Sequence, residues 1–475
     1  MHRVRHVIDG EIVEPADGRT FPSVNPATQE VWADVARGSA ADVERAVTAA
    51  RRAFDEGRWP RMSPDERATR LHRLADLIDR DSDELAELDT TDMGKPIAQT
   101  RGKDVPRSAH NIRFFADYAR FVEDEAIPVA TAHHVYTRYE PVGVAAAVSP
   151  WNFPLMLATW KVAPALAFGN TVVLKPAEQA PASCGRLGEL AVEAGLPPGV
   201  LNVVHGFGPG EAGEALTRHD GVDLITFTGE SATGRAIMAA AASGLRRVSF
   251  ELGGKGANVV FADADLDRAL DWSIKAIFTN SGQVCLAGSR LLVERPIYDE
   301  FVARFVDMAD AMVLGDPLDA STEIGPLASE EHWRKVTSYV DLAPEEGAKV
   351  LTGGRADGWW VRPTVLADVA PAMRVCREEI FGPVVTVQPF EGEDEGVGLA
   401  NDTPYGLNAM VFTENVRRAH RVAGRLRAGT VWVNCFFVRD LRAPFGGYGD
   451  SGIGREGGKH SREFFTEAKA VVMEL

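Results

Sequence analysis

The chain predicts an α/β protein with parallel sheets, arranged in two or more closely packed portions. Three observations carry this. At 475 residues the chain is too long for one compact core. From about residue 142 onward, short apolar β-rich runs alternate with helical stretches, the pattern of βαβ units whose sheet is covered on both faces. The apolar and charged fractions, 45% and 25%, are those of an ordered globular protein.

The first hundred residues read mainly as helix after a short extended start. Ser39 and Asp42 form a capping-box pattern ahead of the periodic Val43, Val47, Ala50 and Phe54. Ser63-Pro64-Asp65-Glu66 opens a second helix, with a cap, a proline at the first position and an acid at the third. Its apolar stripe is Leu71, Leu74, Leu77 and Ile78. Candidate strands follow at 142–148, 171–174, 201–204, 224–227 and 248–250, with helices at 182–194 and 234–242 between them. The alternation resumes after Cys285, with strands at 290–294, 384–389 and 431–434. Residues 129–139 and 470–475 are also strand-like but lie outside this series. Unpaired edges are a liability, so they are expected to pair with each other or with a neighbouring subunit.

Several function classes are disfavoured. The net charge is −17 and there is no extended Lys/Arg block, which argues against nucleic acid or an anionic membrane as the main partner. No run reaches the length of a membrane span, and the basic N-terminus lacks the apolar stretch of a signal peptide. The four cysteines, Cys184, Cys285, Cys376 and Cys435, show no metal-ligand spacing. A reduced, cytoplasmic protein without a structural metal is the expectation.

Two segments point to chemistry. Phe250-Glu251-Leu252-Gly253-Gly254-Lys255 sets a carboxylate beside two glycines, where backbone can approach a ligand closely. Asn280-Ser281-Gly282-Gln283-Val284-Cys285 places a thiol after a small polar stretch. A lone cysteine is usually a small buried hydrophobe and a lone glutamate a solvated charge. Together, a thiolate nucleophile and a water-activating carboxylate can make and then hydrolyse a thioester. Among the glycine motifs, Gly208–Gly213 and Gly452–Gly457 both have GxGxxG spacing, a weak signal alone. The second reads as a turn-rich structural loop. The stretch 227–234 (Phe-Thr-Gly-Glu-Ser-Ala-Thr-Gly) runs from strand through a tight loop into a helix N-terminus, a candidate pyrophosphate site. Glu230 is discordant there, because a carboxylate repels phosphate unless it points away. Pro150-Trp151-Asn152-Phe153-Pro154 offers an amide between prolines as an oxyanion donor. Lys175-Pro176-Ala177-Glu178 offers a cation and an acid for a ribose, and Glu378-Glu379-Ile380-Phe381-Gly382-Pro383 adds a second acid with an aromatic ring.

In order and spacing, over essentially the whole chain, these motifs resemble the NAD(P)-dependent aldehyde dehydrogenase superfamily. The resemblance implies that fold: a Rossmann-like NAD-binding domain (1–122 and 142–253), an α/β catalytic domain (254–457) and a small β oligomerisation arm (123–141 and 458–475) of a homodimer or homotetramer. It implies Cys285 as the nucleophile, Asn152 with the Cys285 backbone N–H as the oxyanion hole, and Glu251 as the base for the deacylating water. It implies Lys175 and Glu178 at the adenosine ribose, Glu379 and Phe381 at the nicotinamide, and Gly229 and Ser231 near the pyrophosphate. Pro150, Trp151, Ala177, Gly208 and Leu252 complete the cofactor contacts. The family usually has Ser where this chain has Glu230. A carboxylate at Glu178 suits the free hydroxyls of NAD better than the 2′-phosphate of NADP.

Phe153 and Trp160 match the family's apolar aldehyde tunnel. The stretch 435–445 (Cys-Phe-Phe-Val-Arg-Asp-Leu-Arg-Ala-Pro-Phe) resembles the subgroup that oxidises 2-hydroxymuconic and 2-aminomuconic semialdehydes. Such substrates carry a carboxylate, which an Arg at the tunnel would neutralise. Arg439 and Arg442 are the candidates, with Arg107 and Arg113 as helpers, and for each an ordinary surface ion pair is the competing reading. The alternatives are another aldehyde, such as betaine aldehyde or an aliphatic or aromatic one, an acylating dehydrogenase using coenzyme A, a Cys–His hydrolase, and a binding protein that keeps the fold without catalysis.

Overall fold

The computed structural model describes residues 1–475. Five strands form the heart of the first sheet, in the spatial order Leu201–Val203, Thr171–Pro176, Val144–Ser149, Leu224–Thr228 and Arg247–Glu251, all parallel. They read as continuous apolar runs because both faces are covered. Along the central strand Ala145 and Ala147 pack to one side, with helices Pro64–Arg80, Val105–Phe121 and Pro154–Ala167. Val144 and Ala146 face the other way, against Val43, Val47, Leu216 and Ile237 of the opposite helices. The order of the strands in the chain reverses between Val144–Ser149 and Leu224–Thr228.

The second sheet has seven strands: Lys349–Arg355, Val361–Ala367, Val384–Phe390, Arg290–Glu294, Ala257–Val260, Asn408–Phe412 and Thr430–Val433. All are parallel except the first. Its winding reverses at Ala257–Val260.

Most expected elements form, with shifted ends. Both capping patterns are in place: Ser63 Oγ accepts from the Glu66 N–H at 3.2 Å while Glu66 accepts from the Ser63 N–H at 2.9 Å, and Asp42 accepts from the Ser39 N–H at 2.9 Å. The short extended start is longer than expected. His2–Val4, Thr20–Asn25 and Glu30–Ala36 make a small sheet of their own, and His6–Ile8 with Glu11–Val13 extends the first sheet. Ala257–Val260 and Asn408–Phe412 escaped the sequence pattern because each carries a buried asparagine. Tertiary partners satisfy both: Asn258 Nδ2 donates to Ser273 Oγ at 2.7 Å, and Asn408 Nδ2 to the Leu286 carbonyl at 3.0 Å. The two stray strands pair with each other, Thr466–Glu474 running antiparallel to His133–Pro141 along nine residues. The Gly452–Gly457 stretch is turn-rich but more than a loop, since Gly452–Ile453 adds to the edge of the first sheet beside Phe250 and Glu251. No helix is long and apolar enough to cross a membrane.

Candidate active site

In an open parallel sheet the ligand crevice lies beyond the carboxyl ends of the strands, where the winding reverses. Two adjoining cavities occupy that place, one of about 340 Å³ and one of about 440 Å³. Pro150, Trp151, Thr228 and Gly229, at the ends of the two strands flanking the reversal, line both. The larger cavity takes Lys175, Ala177, Glu178 and Gly208, and the smaller takes Asn152, Leu252, Cys285, Glu379 and Phe381. Lys175 Nζ meets Glu178 Oε2 at 3.0 Å, so cation and acid stand together at the strand end. Gly229 has no room for a side chain: a Cβ there would lie 2.4 Å from the Phe227 ring. Ser231 Oγ donates to the Asp450 carbonyl at 2.9 Å, so its hydroxyl is engaged away from the cavity. The N-terminus of helix Ser231–Ala242 still ends at this crevice, and its dipole favours an anion there.

The thiol arrives by a different route. Helix Leu266–Phe278 ends in a turn where Asn280, Ser281 and Gly282 all have left-handed backbones, with φ of 52°, 52° and 72°. Two of these are not glycine, and each such residue costs about 1–3 kcal/mol, so the surroundings must hold them. Side-chain amides do so. Asn280 Nδ2 donates to the Asn152 carbonyl at 3.0 Å, Asn152 Nδ2 to the Gln283 carbonyl at 2.9 Å, and Gln283 Nε2 to the Asn280 carbonyl at 3.1 Å. Ser281 Oγ donates to the Gly325 carbonyl at 2.8 Å, and Gln283 Oε1 accepts from the Ala328 N–H at 3.0 Å. Asn152 uses one of its two amide hydrogens in this ring of contacts, which leaves one for a ligand oxygen. The glycines of the Glu251–Lys255 stretch let the two motifs meet. A Cβ on Gly254 would lie 2.5 Å from the Cys285 carbonyl, and one on Gly253 would lie 2.2 Å from Glu379 Oε2.

Glu251 ends its strand buried, with both carboxylate oxygens unpartnered in the protein. Burial, then the charge of Glu456, raises its pKa well above the ordinary carboxylate range, while Lys161, Arg439 and Arg455 oppose the shift. Glu456, itself buried, accepts from Trp160 Nε1 and lies 3.3 Å from Lys161 Nζ, which also reaches Thr226 Oγ1 at 3.1 Å. Burial pushes the Cys285 thiol up to about 12, helped by the charges of Glu379 and Glu251. Burial also brings Glu379 up to about 7, although it accepts from the Gly254 N–H at 2.8 Å. A thiol so raised needs a base or an added positive charge to ionise near neutral pH.

The four candidate arginines separate. Arg113 is held by Asp76 and Asp79, both at 2.6 Å. Arg442 is largely exposed and bound to neighbouring Asp440 at 2.6 Å. The expectation that these two serve the substrate therefore gives way to the competing one, since each is taken by local acids. Arg439 pairs with no carboxylate. Its guanidinium stacks on Phe445 at 3.6 Å and Trp160 at 4.8 Å, and burial lowers its pKa to about 10. The charge of Arg107 is the next contribution to that shift, and Arg107 itself donates only to Asn111 Oδ1, at 3.1 Å. Trp160 and Phe153 are both buried; Lys95 Nζ sits 3.5 Å over the Phe153 ring, and Phe437 packs 6.3 Å away.

A cavity-lining thiol, a buried carboxylate with unpartnered oxygens, an amide with a spare hydrogen and two adjoining cavities thus converge where two parallel sheets meet. The aldehyde dehydrogenase family model matches residues 12–471. A 2-hydroxymuconic semialdehyde dehydrogenase from Pseudomonas sp. (strain CF600) is 52% identical, covering the whole of both chains. A 2-aminomuconic 6-semialdehyde dehydrogenase from Pseudomonas sp. is 45% identical over 100% of this chain and 99% of the relative. The solved NAD+ complex of an aldehyde dehydrogenase from Bacillus cereus superposes with a TM-score of 0.98 at 42% identity, covering 100% of this chain and 97% of that one. The chain belongs to the aldehyde dehydrogenase family. The enzyme oxidises an aldehyde to the carboxylic acid.

Four residues of this aldehyde dehydrogenase went unseen in the sequence. Lys161 and Glu456 are nearly 300 positions apart and meet only in the fold. Glu456 lies inside the second GxGxxG stretch, which was the one available signal. His332 and Lys335 come from helix Glu330–Glu345 and line the smaller cavity. Burial lowers the His332 pKa to about 4, so it is neutral, and its Nε2–H donates to the Phe381 carbonyl at 2.7 Å. This pins Phe381 at φ 63°, a rare backbone for a bulky residue, with its ring against Trp151 at 5.4 Å.

The two glycines should respond differently to substitution. Gly254→Ala confronts backbone and should lower kcat by about a hundredfold or more. Gly253→Ala confronts only the end of a glutamate side chain and should chiefly raise KM for the dinucleotide, as initial rates would show. Glu456→Gln removes the negative neighbour that raises the Glu251 pKa. Glu251 acts as a base only when ionised, so the acid limb of the pH–rate profile should move to lower pH.

Proposed function

We propose that this enzyme uses NAD to oxidise an aldehyde carrying a distal carboxylate, a semialdehyde of the 2-hydroxymuconic kind. The chemical step is carried by one observation: Cys285 opens into the crevice cavity with Glu251 near enough to raise its pKa. The residues fit a dinucleotide. The crevice runs from the Lys175–Glu178 pair, past the helix Ser231–Ala242 N-terminus, to Glu379 and Phe381 beside the thiol. When bound, the nicotinamide supplies a hydride acceptor and a positive charge.

Cys285 gives its proton to Glu251, which passes it to solvent, and the sulfur bonds to the aldehyde carbon. The new oxyanion takes the spare Asn152 amide hydrogen and the Cys285 backbone N–H. Hydride leaves that carbon, and the oxygen returns to a carbonyl as a thioester. Glu251 takes a proton from water, whose oxygen attacks the thioester carbon and displaces the sulfur. The products are a carboxylic acid and the restored cysteine. A raised Glu251 pKa makes it a stronger base than an ordinary carboxylate, and the absence of protein partners leaves its oxygens available to that water. The same base supports hydrolysis over transfer to coenzyme A.

Arg439 supports the carboxylated substrate. An arginine stacked between aromatic rings beside the catalytic pair, with no acid of its own, is an anion receptor awaiting a ligand, and Arg107 adds to its field. The similarity to the two Pseudomonas semialdehyde dehydrogenases points the same way. Strands His133–Pro141 and Thr466–Glu474, with Val472 and Met473 exposed, serve as the edge through which subunits join as a dimer or tetramer. Light scattering should show an oligomer, and a monomer would overturn that assignment.

NADH absorbance with NAD and 2-hydroxymuconic semialdehyde should show turnover well above that with betaine aldehyde or a simple aliphatic aldehyde. Preference for the neutral or cationic aldehydes would discard the substrate and keep the chemistry. Arg439→Ala should cost about 2 kcal/mol or more in kcat/KM for the carboxylated aldehyde, roughly thirtyfold, and far less for a neutral one. Glu251→Gln should release one burst of NADH per active site and then stall as the acyl-enzyme.

A further inference from the structure

Glu230, the residue discordant with a phosphate site, has a definite place. It is the cap residue before helix Ser231–Ala242 on the first sheet, and its Oε1 lies 3.4 Å from Nζ of Lys335, on helix Glu330–Glu345 of the second. Lys335 lines the smaller cavity and Glu230 lines both, so the ion pair bridges the crevice where the two cavities join. A dinucleotide reaching from the Lys175–Glu178 pair to Cys285 carries its pyrophosphate through that junction. The pair is open to water, with side-chain exposures of 65% for Glu230 and 39% for Lys335. Exposed pairs of this kind are weak and exchange partners readily.

We propose that Glu230 sets the rate of cofactor release by repelling the pyrophosphate and competing with it for Lys335. This rests on the cofactor placement above. Lys335 sits on Glu230. With the dinucleotide bound, the same ammonium faces two anionic partners, one of them the phosphates. Glu230 offers Lys335 a partner to return to as NADH departs, and its own charge disfavours the bound state. Oxidised and reduced cofactor share the pyrophosphate, so both are held less tightly than an uncharged residue at this position would hold them. The device favours turnover where product release limits the rate.

Stopped-flow NADH fluorescence and equilibrium titration test this without reference to catalysis. Glu230→Gln and Glu230→Ser should each slow NADH dissociation and tighten Kd by about two- to fivefold, and the effect should shrink at about 0.5 M salt. Lys335→Gln should weaken binding, and Glu230→Gln in that background should retain only the part due to direct repulsion. Faster or unchanged dissociation in Glu230→Gln, while Lys175→Met and Glu178→Gln weaken NADH binding, would overturn the role of Glu230. If Lys175→Met and Glu178→Gln leave binding unchanged as well, the cofactor placement itself falls.

Discussion

The ring of amides around Asn280 and Asn152 is the contact on which the site depends. It holds a run of left-handed residues that no local preference would maintain, and it spans both halves of the molecule. Asn152 follows the central strand of the first sheet, while Asn280 and Gln283 precede the thiol on the second. Each hydrogen bond is worth only about 1 kcal/mol net. Lost together, they would leave buried polar groups unsatisfied and two strained residues unsupported. The position of Cys285 relative to the crevice is therefore fixed by polar groups that the apolar core could not have oriented.

Around that fixed point the enzyme gathers more negative charge than a thiolate tolerates. Glu251 and Glu379 both raise the Cys285 pKa, and Glu456 stands behind Glu251. Lys161 and Arg439 offset part of this without forming an ion pair to Glu251, whose oxygens stay free. Such an arrangement favours the protonated, less reactive thiol. A positive charge held beside Cys285 would oppose the two carboxylates and favour the thiolate.

The legible part of the site was local. The acid-glycine-glycine stretch and the small polar run before Cys285 showed as motifs because the chemistry needs short side chains at close approach, and the structure places Gly254 against the Cys285 carbonyl. Lys175 and Glu178 are three residues apart at a strand end, within reach of one another wherever that strand lies. The arginines were not separable in the sequence. Arg442 and Arg439 are neighbours in the chain, yet one faces solvent with Asp440 and the other stacks inward on Trp160 and Phe445. The partner of Ser231 was equally invisible, since its hydroxyl is taken by a carbonyl more than two hundred residues away.

By itself the sequence determined the α/β class, most strands of the parallel sheets, the helix caps and the pairing of a thiol with a carboxylate, because those rest on short-range periodicity and on residue chemistry. The tertiary structure decided which two of the four arginines are held by acids and that Arg439 stacks inward, that Glu456 and Lys161 lie near Glu251, that His332 pins Phe381, and that Glu230 reaches across to Lys335. Each of these is a contact between segments that fold separately and meet only when the two sheets pack. Electrostatics and strain act through distance in space, and spacing along the chain does not encode that distance.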